Sequence, residues 1–275
     1  MDILLFIKAF IMGIVEGITE FLPISSTGHL MLSADLMNFW QDEKKLTVFV
    51  AVIQIGAILA VIFEYWHKLW GTAKGMLTGD KQSRQLGLGL IFASIPIVIA
   101  GLTLDDLIES ILGSNVIIAI SLIVGGLIIW WVEKHPPIVV AEEVEHLTIK
   151  QSILIGLIQM LSLIPGTSRS GATIIGAMFM GVSRKAATEF SFFLGLPVLI
   201  GAGLLAFLKG YQTFVTVEDW AVLGFGIFIS FVSALLFIRA LVAYVAKRDF
   251  MIFAYYRILS GIIILIFALT GWQLW

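Results

Sequence analysis

Six uninterrupted apolar stretches, at about 47–65, 87–104, 114–132, 187–208, 219–245 and 252–272, set the terms on which this chain can fold. Crossing the hydrocarbon core of a bilayer takes about 20 apolar residues in a helix, and each stretch comes close to that length. In lipid every backbone polar group must be satisfied within the span, so stretches of this kind select helices. Composition agrees: 59% of the residues are hydrophobic and 13% are charged, against about 45–50% and about 25% in soluble domains. The expected fold class is an all-α polytopic membrane protein, a single membrane domain over 1–275. With no cysteine, disulfides and thiolate metal sites are ruled out. A net charge of -2 without a basic run argues against nucleic acid as a partner. Asp2 stands where a signal peptide would have a basic segment, so the apolar start is expected to be mature structure.

Two further apolar regions are broken. Residues 3–40 are interrupted between Pro23 and Gly28, and residues 151–181 between Pro165 and Gly171. Proline removes a backbone donor and glycine permits positive φ, so both breaks are expected to be sharp turns. Each half is short for a span. The expected object is a re-entrant helical hairpin that enters the membrane and returns on the same side. Non-helical backbone at that depth is tolerated where it is buried in protein or lines a wet cavity.

Loop charges give the orientation. Lys68, Lys74, Lys81, Arg84, Lys134, Lys150, Arg184, Lys185, Lys247 and Arg248 fall on one side, and only Lys44, Lys45 and Lys209 on the other. The positive-inside rule puts the ten in the cytoplasm, with both termini and the acidic turn Asp105, Asp106 and Glu109 outside. The 133–150 loop is weak on its own, because Glu133, Glu142, Glu143 and Glu145 outnumber its lysines. Trp66, Trp70, Trp130, Trp131, Trp272 and Trp275 sit near span ends, as an aromatic belt would.

The chain also repeats. Ile14-Val15-Glu16 through Pro23, followed by hydroxyls and Gly28, is matched by Leu157-Ile158-Gln159 through Pro165, followed by hydroxyls and Gly171. Each copy is a broken hairpin followed by three spans. Three is odd, so the second copy is inverted relative to the first. The division is repeat one at about 1–132, a cytoplasmic linker at about 133–150 and an inverted repeat two at about 151–275. Two hairpins entering from opposite faces then meet near the midplane, as in the inverted-repeat architecture of many transporters.

The breaks carry the groups that membranes exclude, at about 2.5–3.5 kcal/mol for each ionisable residue on insertion scales. Glu16 and Glu20 are four apart on one helix and share a face. A divalent cation, Mg or Ca, would relieve their repulsion with oxygen ligands; a wet vestibule with two solvated carboxylates is the plainer account. Ser25, Ser26 and Thr27 open a half-helix, as do Thr167, Ser168 and Ser170 around Arg169. Such hydroxyls are ordinarily N-caps. Helix starts that point into the membrane also favour an anion, and Arg is a bidentate match for phosphate. Alternatively Arg169 only pairs with Glu16 or Glu20. His29, one turn after Ser26, is placed either as base for a hydroxyl nucleophile or as a structural hydrogen-bonder. Arg239, Lys247 and Arg248 are expected to snorkel. Arg257 and Glu189 lie deeper, with no partner assignable. Gln54 and Gln159 either line the site or bond between helices.

Glu16-Gly17-Ile18-Thr19-Glu20-Phe21-Leu22-Pro23-Ile24-Ser25-Ser26-Thr27-Gly28-His29 and Pro165-Gly166-Thr167-Ser168-Arg169-Ser170-Gly171-Ala172-Thr173 resemble the two signature motifs of the bacterial undecaprenyl-diphosphate phosphatase family, the BacA type. The similarity extends over the chain, through Gly181-Val182-Ser183-Arg184 and Glu189-Phe190-Ser191-Phe192. The resemblance implies removal of the terminal phosphate from undecaprenyl diphosphate, which recycles the lipid carrier of peptidoglycan synthesis. It further implies bacitracin resistance, since bacitracin competes for the diphosphate substrate. Carried over residue by residue, the family's site falls on Glu16, Glu20, Ser25, Ser26, Thr27, His29, Ser168, Arg169, Ser170 and Thr173. A divalent-cation requirement and a site open to the outer, periplasmic face of the bacterial cytoplasmic membrane also follow from it. The expected partners are the polyprenyl diphosphate and membrane lipid, with a homodimer left open.

In the mechanism these residues suggest, Ser26 attacks the phosphorus in line, with His29 managing the proton and Glu20 and Arg169 completing the catalytic set. Glu16 and Glu20 are the metal ligands. Ser25, Thr27, Ser168, Arg169, Ser170 and Thr173 hold phosphate. Attack by a metal-activated water is the other route. The rival from a different class is a lipid or small-anion transporter, or flippase, built on the inverted repeat.

Overall fold

The computed structural model describes residues 2–104 and 114–269. The acidic turn expected at Asp105, Asp106 and Glu109, and the belt residues Trp272 and Trp275, lie outside them. The chain runs through Ile3–Thr19 (α1), Ser26–Met37 (α2), Glu43–Glu64 (α3), Trp66–Thr78 (α4), Lys81–Thr103 (α5), Asn115–Lys134 (α6), Ile149–Gln159 (α7), Arg169–Phe179 (α8), Arg184–Gly210 (α9), Val217–Val245 (α10) and Met251–Leu269 (α11). Among the described residues there is no β-sheet, only an isolated bridge between Ala141 and Val182.

Among the described residues six helices are long and apolar enough to cross a membrane: α3, α5, α6, α9, α10 and α11. They make this a multi-pass membrane protein, and they coincide with the six apolar stretches. Most begin before the apolar run because a polar residue closes the end. Asp42, Asp80, Ser114, Ser183 and Thr216 each accept from the backbone N–H three residues on, which satisfies a donor that the helix leaves free.

The segment 66–86, expected as a loop, contains the helix α4. None of its residues is buried, and Trp66 and Trp70 stack on its outside, their centroids 6.1 Å apart. At 13 residues too short to cross, it carries its indoles on one flank, a pattern that a search for long apolar runs passes over.

Three of the four acidic residues that diluted the 133–150 loop are paired with neighbouring basic side chains. Glu133 bonds Arg184, Glu143 bonds Lys185 at 3.3 Å, and Glu145 bonds Lys68 at 3.0 Å. Lys68 also meets Glu189 of α9 at 2.9 Å, the partner that the sequence did not reveal.

Between helices in lipid there is little hydrophobic driving force, so close approach of small residues does the packing. Gly13 and Gly17, one turn apart on α1, face α10. A methyl at Gly17 would stand 2.0 Å from the Ser233 hydroxyl. In the same way α7 packs along α5 and α6 along α11, while α3 lies between α9 and α10.

Candidate active site

The two breaks come together. After α1 the chain passes Phe21, Leu22, Pro23 and Ile24, and α2 starts at Ser26. After α7 it makes a short 3-10 turn, passes Pro165 and Gly166, and α8 starts at Arg169. The residue before each helix is a serine with positive φ, Ser25 at 73° and Ser168 at 70°. Such backbone costs about 1–3 kcal/mol in a non-glycine residue and clusters at functional sites. Ser168 caps its helix by accepting from the Gly171 N–H, whereas the Ser25 side chain makes no capping bond.

Hydrogen bonds stitch the turns to each other. Ser170 donates to the Leu22 carbonyl at 2.7 Å, and Ser168 reaches the same oxygen at 3.4 Å. Arg169 Nη2 donates to Glu20 Oε1 at 3.0 Å, and the Ser26 hydroxyl donates to Glu20 Oε2 at 2.6 Å. Glu20 therefore sits between the guanidinium of one turn and the hydroxyl of the other. A second arm of Arg169, Nη1, holds the Ser191 carbonyl at 2.8 Å, and its buried Nε–H has no hydrogen-bond partner among the described residues. Thr173 donates toward the Arg169 carbonyl at 2.9 Å and to the Ser191 hydroxyl at 2.7 Å.

His29 lies on the first turn of α2 but not against Ser26. Its Nδ1 meets the Ser25 carbonyl at 2.7 Å, and its Nε2 meets the hydroxyl of Tyr256 at 2.5 Å. Since a carbonyl only accepts, Nδ1 carries the proton and Nε2 accepts from Tyr256. The rings stack with centroids 5.6 Å apart.

Above this floor opens a cavity of about 790 Å³. Glu20, Ser25, Ser26, Thr27, Ser168, Arg169 and Ser170 line its base, and Gln54 lines its wall. Asp35, Asn38, Trp40, Gln41 and Glu43, at and beyond the far end of α2, also line it, together with apolar residues such as Met31, Leu163 and Val198. A polar base beneath apolar walls suits an amphiphile with an anionic head.

Known proteins bear on what that amphiphile is. The family described as "Bacitracin resistance protein BacA" matches residues 9–263. The chain belongs to this family. Its relatives include "Undecaprenyl-diphosphatase 1" of Acinetobacter baylyi, 66% identical over 275 residues and covering 100% of both chains. Another is the undecaprenyl-diphosphatase of Psychrobacter cryohalolentis, 58% identical over 272 residues, covering 98% of this chain and 97% of that one. That of Polaromonas naphthalenivorans is 47% identical over 279 residues, covering 100% and 99%.

Within this BacA-family chain the donor set admits a cation on one side only. Glu16 is fully buried, and neither of its oxygens has a hydrogen-bond partner among the described residues. An ionised carboxylate in that state calls for a cation or a proton. Among the described residues no group of three or more His, Cys, Asp or Glu side chains gathers to hold a metal. Glu16 and Glu20 thus fit a hard cation as two carboxylates, with the remaining oxygens to come from elsewhere.

Three further participants were not assigned to the site from the sequence, though Arg257 stood out as a deep charge. Tyr256 approaches His29 from α11. Ser191 receives Arg169 and Thr173 from α9. Arg257 bonds the backbone of both turns. Gln159, which the sequence match sets against Glu16, is buried, and its amide has no hydrogen-bond partner among the described residues.

Proposed function

We infer that this chain is an integral membrane phosphatase that hydrolyses undecaprenyl diphosphate to undecaprenyl phosphate and inorganic phosphate. The reaction returns the lipid carrier to peptidoglycan synthesis and confers bacitracin resistance by depleting the form that bacitracin binds. One observation carries the reading beyond family membership: Ser26, Glu20 and Arg169 form a single hydrogen-bonded line across the two turns at the base of an apolar-walled cavity.

Phosphoryl transfer is mostly positioning and charge stabilisation. The polyprenyl diphosphate lays its head on the base of the cavity. Arg169 offers its free Nε–H, and the N-terminal N–H groups of α2 and α8 offer two positive helix ends. Ser25 and Thr27 add hydroxyls toward the phosphate, while Ser168, Ser170 and Thr173 hold the clamp around Arg169. Ser26 Oγ attacks the terminal phosphorus, and the bond to the bridging oxygen breaks. Glu20, already in contact with Ser26, takes the hydroxyl proton, and undecaprenyl phosphate leaves. His29, held by Ser25 and Tyr256, keeps the start of α2 in place for Ser26. Water then cleaves the phosphoserine, Glu20 returns its proton to Ser26 Oγ, and inorganic phosphate leaves. A Mg or Ca ion on Glu16 and Glu20 would supply charge neutralisation for the diphosphate.

The turns are tips of two re-entrant hairpins in an inverted repeat, about 1–132 and 151–275, joined by the 133–150 linker. The packing supports this: α1 lies on α10 as its counterpart α7 lies on α5, and the counterpart pairs α3 with α9 and α6 with α11 pack on each other. Ser26 and Arg169 hold the same place in the two halves, directly after a serine of positive φ. The site opens to the outer face of the bacterial cytoplasmic membrane. Its cavity is lined as well by the 38–43 segment, on the side with few basic residues. The same paired architecture is what a lipid transporter uses. Phosphate release from undecaprenyl diphosphate by the purified protein, with Mg²⁺ and Ca²⁺ varied, separates the two. Release is expected, and none under any cation condition would favour transport.

A further inference from the structure

Arg257 is 1% exposed and lies in α11. A buried charge normally meets an opposite charge, because desolvation costs several kcal/mol (roughly) per ion. Arg257 meets carbonyl dipoles instead. Its Nη1 donates to Pro23 and to Thr167, both at 2.9 Å, and its Nη2 to Ser121 at 3.0 Å and Gly166 at 3.1 Å. Its Nε donates to Leu122 at 3.4 Å. A guanidinium has five N–H donors, and these five bonds use the full set.

The acceptors identify the role. Pro23 lies three residues before Ser26, and Thr167 two before Arg169. Their carbonyls, like that of Gly166, belong to the interrupted segments, where no following helical turn takes them up. Away from water an unpaired carbonyl is costly. Arg257 satisfies the two interruptions with one rigid fork, and a single nitrogen, Nη1, spans them. The other nitrogens fasten that fork to α6. Space for it comes from Gly125 on α6, where a methyl would stand 2.2 Å from Nη2.

We propose that Arg257 is a positioning residue of the phosphatase, holding the turn before Ser26 and the turn before Arg169 in register, with Gly125 as the opening it needs. Arg257 touches neither Ser26 nor Glu20, so it acts through the backbone of the turns. The proposal rests on the phosphatase reading for its kinetic part only. Lysine cannot replace it, since an ammonium has three donors in no fixed plane. A displacement of about 1 Å between reacting groups can cost about 100-fold in rate.

The test uses purified R257K, G125A and the double variant. Folding is checked by size exclusion and thermal unfolding, and kcat and KM are measured on undecaprenyl diphosphate. Each single variant is expected to fold and to lose about 100-fold in kcat with little change in KM. The double variant is expected to be no worse than the singles, because both substitutions break one contact. Amide hydrogen exchange is expected to rise together at 24–29 and 167–171 in both singles while α3 and α9 stay protected. G125A retains the arginine and keeps the test standing if R257K does not fold. A parental kcat per folded molecule in either single, additive losses in the double, or folding failure of both singles would overturn the proposal. Unchanged exchange at the turns would overturn it irrespective of activity. Absence of phosphate release by the parental chain would count against the phosphatase reading and leave the exchange result to decide the role of Arg257.

Discussion

Among the described residues the hydroxyls of Ser168, Ser170 and Thr173 at the second turn are all hydrogen-bonded, whereas at the first turn only that of Ser26 is. Around Arg169, Ser168 accepts from Gly171, Ser170 donates to Leu22, and Thr173 donates to Arg169 and Ser191. Around Ser26, Glu16 has two oxygens without partners, Ser25 makes no capping bond, and Thr27 is exposed. Two segments of like sequence and like backbone thus divide the work by the hydrogen-bond saturation of their hydroxyls. The saturated turn keeps its shape and presents one guanidinium. The unsaturated turn has capacity left for a ligand and for proton transfer. Buried polar groups left without partners are expensive, and each turn keeps some: Glu16 at the first, the Arg169 Nε–H and the Gln159 amide at the second.

The largest expected effect is at the reactive turn. Ser26→Ala should lower kcat by about 10⁴-fold or more, as loss of a nucleophile does, with folding intact; phosphate-release kinetics measure it. Substantial turnover in this variant would remove Ser26 as nucleophile. Next comes the residue shared by both turns. Glu20→Gln should cost about 10²–10⁴-fold in kcat, the range for a lost general base. It should also lower the unfolding temperature, because Arg169 loses its buried counter-charge. A loss of stability without loss of kcat would make Glu20 a mere partner of Arg169.

The caps sharpen the contrast more gently. Ser168→Ala removes a real N-cap bond and should cost about 1 kcal/mol, read as a lower unfolding temperature in detergent. Ser25→Ala should leave stability within about 0.5 kcal/mol and raise KM instead. Equal stability losses would erase the distinction between the turns. The smallest effect lies away from both. Burial pulls the Lys68 ammonium down, but hydrogen bonds to Glu189 and Glu145 more than reverse this, so it titrates above its ordinary 10.5. Its stabilisation is therefore fully present below pH 10.5 and is lost as pH rises through the higher folded value. Lys68→Ala should cost up to about 1 kcal/mol and flatten that alkaline limb in a melting series, with kcat unchanged. A fall in kcat would couple this distant ion-pair cluster to the turns.

The six spans were legible because bilayer thickness imposes a length that hydropathy displays directly. The interruptions were legible because proline and glycine act locally. That Glu20, Ser26 and Arg169 would converge followed from spacing and the count of spans. Their pairing did not: His29 is one helical turn from Ser26, yet its nitrogens go to Ser25 and to Tyr256 on α11. Which rotamer wins is decided by side chains far along the chain. Arg257 was visible as a buried charge but not as a clamp, because its acceptors are backbone atoms of three separate segments, and carbonyls leave no mark in a sequence. The helix α4 was hidden for the opposite reason, since its mixed composition reads as loop.

The guanidinium that bridges the turns also sets a schedule. Arg257 follows Pro23 by 234 residues and Gly166 by 91. At about 5–20 residues per second of synthesis, the second turn exists for on the order of ten seconds before Arg257 has been made. During that interval Ser26 and Arg169 are both in the chain without the crossbar between them. If Arg257 holds the turns as proposed, the nascent chain has no aligned site until α11 has been made.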